Sequence, residues 1–140
     1  MPDLSSLPRR TETISMLGAI LVLPWPPTAN TYWRSVVIGG RQRVLISEGG
    51  RRFRRAVAEQ VMIQRPARFG SDRVRVEVDA HPPDLRIRDL GNLDKALQDA
   101  LTHAGVWTDD SQIDEYEVVR MPPYRSGGAV VVRIYRLGHP

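Results

Sequence analysis

The residues best suited to chemistry sit in one stretch, RIRDLGNLDKALQDALTHAGVWTDD, running from Arg86 to Asp110. Asp89 stands at its start, Asp109 and Asp110 close it, and Lys95 lies between them. Carboxylates are hard oxygen ligands of the kind a divalent cation takes. Each also has a structural use: Asp89 is a good helix N-cap, and an Asp-Asp pair suits a turn. Of the twenty basic residues, nineteen are arginine and Lys95 is the one lysine. A compact, strongly hydrated ammonium is suited to meeting a phosphate or a water beside a metal, and it is equally at home on a helix surface. Arg86 and Arg88, just before Asp89, would put positive charge at the edge of a carboxylate site. Arg51, Arg52, Arg54 and Arg55 flank Phe53 within five residues and read as a phosphate-binding stripe.

These residues need elements to hold them. Leu93, Ala96, Leu97, Ala100, Leu101 and Ala104 follow helical spacing, with Gly105 placed to end the helix. At 100° per residue its apolar stripe centres on Leu93, Leu97 and Ala100, leaving Gly91, Asn92, Lys95, Asp99 and Thr102 on the far side. If this helix runs antiparallel to the next strand, Asp109 and Asp110 approach Asp89 only if the fold brings the loop back. Leu17–Leu23 reads as a buried strand stopped by Pro24-Trp25-Pro26-Pro27. Ser35–Ile38 and Arg43–Ile46 read as a hairpin turning at Gly39-Gly40. Ser47 is placed to cap a helix that runs through Arg51–Gln64. Val74, Val76, Val78 and Ala80 alternate with charged residues over Asp72–His81, the pattern of a half-buried strand. Gln112–Met121 and Ala129–Leu137 complete the set. The expectation is a single α+β domain, with two main helices on one face of a mixed sheet, over residues 16–140. Residues 1–15 are polar and aperiodic and read as a disordered lead-in, and Met16 is an alternative start to Met1.

The composition narrows the function classes. The chain has 140 residues, 41% of them hydrophobic and 26% charged, enough for one core. With no cysteine, disulfides, thiolate metal sites and a cysteine nucleophile are excluded. His81, His103 and His139 lack metal-ligand spacing. The longest apolar run is too short to cross a bilayer, and no signal-peptide pattern is present, so a cytoplasmic protein without a membrane partner is expected. The net charge of +4 conceals an asymmetry: residues 1–75 carry 13 basic and 5 acidic side chains, residues 76–140 carry 7 and 11. The basic half suits an anionic partner such as nucleic acid. The acidic half suits a bound cation or a plain solvated surface.

Taken together, LPWPPTANTYWR, RDLGNLDKALQDAL and AGVWTDDSQI, in that order, resemble the RusA-type Holliday junction resolvases from about Ala19 to Arg136. The resemblance implies a homodimer with a mixed α/β fold that uses Mg²⁺ to nick paired strands symmetrically at four-way DNA junctions. It places the family's first motif acid at Asp89, its asparagine at Asn92, its lysine at Lys95 and its preceding arginine at Arg88. The later acid pair falls on Asp109 and Asp110. On this reading Asp89, Asp110 and Lys95 are catalytic, and Asp89, Asp109 and Asp110 hold the metal. Arg88, Arg86, Asn92, Arg51, Arg52, Arg54 and Arg55 contact DNA. One position departs from the pattern, for the second motif acid is Gly91. Asp94 or Asp84 could compensate, a water could fill the gap, or the protein could bind junctions without cutting them.

Overall fold

A computed structural model describes residues 3–8, 10 and 13–138. Within it, strands β1 (Ile14–Pro24), β4 (Val74–His81), β5 (Ile113–Arg120) and β6 (Ala129–Gly138) form one sheet in the order β1-β6-β4-β5. β6 pairs antiparallel with both β1 and β4, whereas β4 and β5 are parallel. A parallel pair needs a crossover, and helix α3 (Asp94–His103) supplies it. Strands β2 (Trp33–Ile38) and β3 (Arg41–Ile46) make a separate hairpin. Helix α1 (Ala29–Tyr32) is a single turn, and helix α2 (Glu48–Gln64) follows the hairpin.

Both long helices cover the same face of the sheet. Phe53, Val57 and Val61 of α2 and Ala96, Leu97, Ala100 and Leu101 of α3 pack with Val74, Val76, Val78, Ala80, Val130, Val132 and Ile134 in one core. The strict alternation along β4 buries every valine and turns Arg75, Glu77 and Asp79 to the other face. There Arg133 bridges Glu77 and Asp79, so those charges are satisfied among themselves. Ser47 caps α2 by accepting from the Gly50 N–H at 2.9 Å. Gly50 is required at that place because a Cβ would lie 2.6 Å from the Tyr32 carbonyl oxygen. At the other end the Gln64 amide bonds both the N–H and the C=O of Val22, covering part of the edge of β1.

The expected α+β domain with helices on one face of a mixed sheet is the architecture found. Several boundaries differ: β2, β3 and α2 begin two or three residues earlier than expected, at Trp33, Arg41 and Glu48. β1 begins at Ile14 rather than Leu17, because its first residues pair with Arg136, Leu137 and Gly138 beyond the buried part of the sheet. The helix expected from Leu93 opens as a 3-10 turn at Leu90–Leu93 before α3 proper. The turn α1 is too short to leave a periodic signal. The expected lead-in falls partly outside the described residues; within it, Asp3 caps a 3-10 turn at Leu4–Ser6.

Candidate active-site face

The carboxylate of Asp89 caps the turn leading into α3, accepting from the Gly91 N–H at 3.0 Å. It stays exposed, with one oxygen engaged in that cap. Helical spacing then sets Asn92 and Lys95 on the same exposed side as Asp89. Opposite them lies the segment that starts at the proline-rich corner. Trp25 and Thr28 share a pocket of about 200 Å³ with Arg88, Asp89 and Asn92. Ala29, Asn30, Trp33 and Arg34 share an adjoining open groove of about 910 Å³ with Lys95. The strings LPWPPTANTYWR and RDLGNLDKALQDAL, more than fifty residues apart in sequence, are thus the two walls of one cleft.

Asp94 is the second carboxylate on this face. Its Oδ1 accepts from the Tyr116 hydroxyl at 2.8 Å. Burial raises its pKa above the ordinary carboxylate value, the Tyr116 hydrogen bond opposes that, and the negative charge of Asp89 raises it further. Asp84 is differently placed. The Arg88 guanidinium, 2.6 Å away, and the Arg86 N–H hold its pKa down to about 2. Of the two acids considered as substitutes at the Gly91 gap, Asp94 is held by Tyr116 within electrostatic reach of Asp89, and Asp84 serves as the partner of Arg88. Gly91 itself is open: a Cβ there would meet only Asp89 Oδ1, at 3.5 Å.

Asp109 and Asp110 lie elsewhere. Tyr116 reaches the start of α3, and Arg120 at the end of β5 donates to the Arg88 carbonyl at 2.7 Å. β5 therefore runs antiparallel to α3, and the turn before β5 sits at the far end of the helix. Ten helical residues span about 15 Å. Asp109 is taken up in that turn: it accepts from Ser111, which lowers its pKa, and forms a capping box with Gln112. Buried Gln112 fixes the turn through Gly70 and Asp72. Asp110 is exposed beside it. The expected metal set of Asp89, Asp109 and Asp110 is not brought together within one chain. Among the described residues, no group of three or more acids or histidines is arranged to hold a metal.

The arginine stripe also divides. Arg54 Nε donates to Asp99 at 2.9 Å and to the Tyr32 hydroxyl at 3.0 Å, and its Nη2 lies 2.7 Å from Asp99. The Tyr32 hydroxyl donates to Asp99, and burial, then Asp99, pushes its pKa up. This knot ties α1, α2 and α3 together, so Arg54 is spoken for, and Asp99, on the far side of the helix from its apolar stripe, is half-buried against α1 and α2. Arg52 approaches Glu48 at 3.9 Å, and Arg51 donates to the Ile46 carbonyl at 3.1 Å. Arg55 is exposed. Sequence reasoning missed Tyr32, Asp99 and Tyr116 as the side chains that hold the cleft. Their signal was slight: a tyrosine in a four-residue turn, and an aspartate on the polar side of a helix.

Residues 24–135 match the family described as Endodeoxyribonuclease RusA. The crossover junction endodeoxyribonuclease RusA of Escherichia coli (strain K12) is 39% identical over 119 residues, covering 85% of this chain and 95% of the relative. The protein of the same name from Enterobacteria phage 82 is 40% identical over the same span, and that from Shigella sonnei (strain Ss046) is 39% identical. Nearly the whole length of each relative is therefore covered, including both walls of the cleft. The chain belongs to the RusA endodeoxyribonuclease family.

Proposed function

We propose that this protein is a Mg²⁺-dependent endodeoxyribonuclease that resolves Holliday junctions and other four-way branched DNA, acting as a homodimer in recombination and repair. The observation that carries the reading is the cleft itself. Asp89 and the lone lysine on one side and the Trp25–Arg34 wall on the other converge from separate parts of the chain, with Asp94 behind them in electrostatic reach of Asp89. Mg²⁺ keeps several waters and needs only one or two protein carboxylates, so Asp89 and Asp94 suit it. When bound, it would lower the pKa of a water and neutralise charge on the scissile phosphate. Lys95 adds a fixed positive charge where the phosphate gains negative charge. Asn92, beside Asp89, positions the strand. Arg88, fixed by its ion pair with Asp84, holds its guanidinium at the edge of the pocket beside Asp89, where a strand phosphate can share it.

The remaining acid argues for two copies. Symmetric nicking needs two active sites related by a two-fold axis. Because Asp110 lies about one helix length from Asp89 in one chain, Asp110 can serve the Asp89 cleft only from a second copy. The test is protomer mixing. Asp89→Asn and Asp110→Asn proteins should each fail to nick a labelled four-way junction, and their mixture should nick single strands, since each mixed dimer keeps one intact cleft. A mixture as inactive as its components would contradict the shared site. A second reading, a junction-binding protein with impaired catalysis, is favoured by one observation: Gly91 leaves open the place where a further acid would stand. Tight junction binding by the natural chain without nicks in Mg²⁺ would select it.

A further inference from the structure

We propose that the pocket between α2, the β2–β3 hairpin and the end of α3 is a second phosphate site for the DNA backbone, made by Arg51, Arg55 and His103. The proposal rests on the reading of the chain as a branched-DNA-binding protein and adds a contact point to it. The pocket encloses about 320 Å³ and is lined by Ile46, Arg51, Arg54, Arg55, Ala58 and His103. On α2, residues 51, 54, 55 and 58 fall at i, i+3, i+4 and i+7, so they share one face, and the small Ala58 leaves room beneath the guanidinium groups. The hairpin supplies a floor at Ile46, whose carbonyl accepts from Arg51 and fixes that side chain at the rim. His103, the last residue of α3, closes the opposite side.

Charge makes the pocket selective. None of its lining residues is acidic. The adjoining acid, Asp99, is consumed by Arg54 and Tyr32. Arg54 therefore serves as a post, and Arg51 and Arg55 keep their charge free of carboxylate ion pairs among the described residues. Like charges four residues apart disfavour a helix, and an anion between them removes that penalty. The spacing suits a polyanion. From Asp94 to His103 is about 15 Å, roughly four phosphates of rise along one strand from the Asp89–Lys95 cleft.

The ligand chemistry is a phosphate group, and the experiment separates a backbone phosphodiester from a free anion. Full-length natural protein, Arg51→Ala/Arg55→Ala, His103→Ala and the exposed-loop control Arg125→Ala are titrated against a fluorescent four-way junction in EDTA from 50 to 200 mM salt. Melting curves establish that each variant is folded. Each lost phosphate contact should flatten the log–log salt slope by roughly 0.9, so affinity falls about 3.5-fold less across that fourfold salt range. The double variant should bind about tenfold more weakly at 50 mM salt, with His103→Ala in the same direction and Arg125→Ala unchanged. Natural affinity and slope in the double variant would overturn the proposal while leaving the nuclease reading intact. Calorimetric binding of inorganic phosphate that the double variant loses, with junction binding unaltered, would overturn the backbone assignment in favour of a free-anion site. A natural protein that binds no junction would sink this site together with the function it rests on.

Discussion

Gly91→Asp probes the gap in the acid set directly. A Cβ at this exposed position meets only Asp89 Oδ1, at 3.5 Å, and Gly91 does not adopt a left-handed backbone, so a side chain enters without strain. The Gly91 N–H bond to Asp89 is a backbone contact and survives the change. The new carboxylate would sit roughly 4 Å from that of Asp89, where two like charges cost about 1 kcal/mol in water and about 4 kcal/mol at an effective dielectric of 20. The site is open, so the lower figure applies. An acid in the first turn of a helix returns about 0.5 kcal/mol of it. Without Mg²⁺ the variant should therefore lose no more than about 1 kcal/mol, a few degrees in Tm. With Mg²⁺ the sign should reverse, because a third hard ligand would join the proposed pair of Asp89 and Asp94. The Mg²⁺ concentration for half-maximal stabilisation should drop about tenfold, equivalent to about 1.4 kcal/mol. The assay is a set of thermal melts across a Mg²⁺ titration, run beside junction nicking at the same concentrations. Identical Mg²⁺ curves for the natural chain and Gly91→Asp would refute the placement of the metal at Asp89.

Lys95→Ala should slow junction nicking by about a hundredfold or more while junction affinity in EDTA stays within about twofold; equal losses in both would make Lys95 a binding residue. Arg54→Ala should destabilise the fold by about 2 kcal/mol, because it leaves Asp99 and Tyr32 part-buried without their cation, and should leave the salt dependence of DNA binding unchanged. Gly50→Ala should cost about 2 kcal/mol by forcing α2 off the Tyr32 carbonyl, seen as a Tm lowered by roughly 5–10 °C. Asp84 has a folded pKa depressed to about 2 against an ordinary 3.8. Its contribution is therefore present above pH 3.8 and lost as pH falls toward 2. NMR titration should show that low midpoint in the natural chain and a rise toward the ordinary range in Arg88→Ala, incomplete because the Arg86 N–H still donates to Asp84.

Much of the fold was legible because its signals are local. The valines of β4 alternate without a break, the apolar stripe of α3 is regular, and Ser47 and Gly105 mark helix ends. The α+β architecture follows from the order of those elements. Distances between site residues were less legible, since they depend on strand direction. The parallel pairing of β4 with β5 makes β5 antiparallel to α3, and that sends Asp110 away from Asp89 although the two flank the same helix. The same limit applied to Arg54. Four arginines within five residues look equivalent in sequence, yet only Arg54 meets an aspartate forty-five residues later. Asp94 gives the opposite case: at five residues from Asp89 it was a candidate substitute, and the hydroxyl of Tyr116 from β5 is what orients it.

The central claim is that this chain cuts branched DNA in Mg²⁺, and strand-by-strand mapping on a four-way junction tests it most directly. Each of the four strands is end-labelled in turn, and the natural protein is added with Mg²⁺, with EDTA, and against a linear duplex of the same sequence. The account predicts two nicks at symmetry-related positions on opposing strands in Mg²⁺, and none in EDTA or on the linear duplex. Cutting that is equal on linear DNA, or that persists in EDTA, would contradict it.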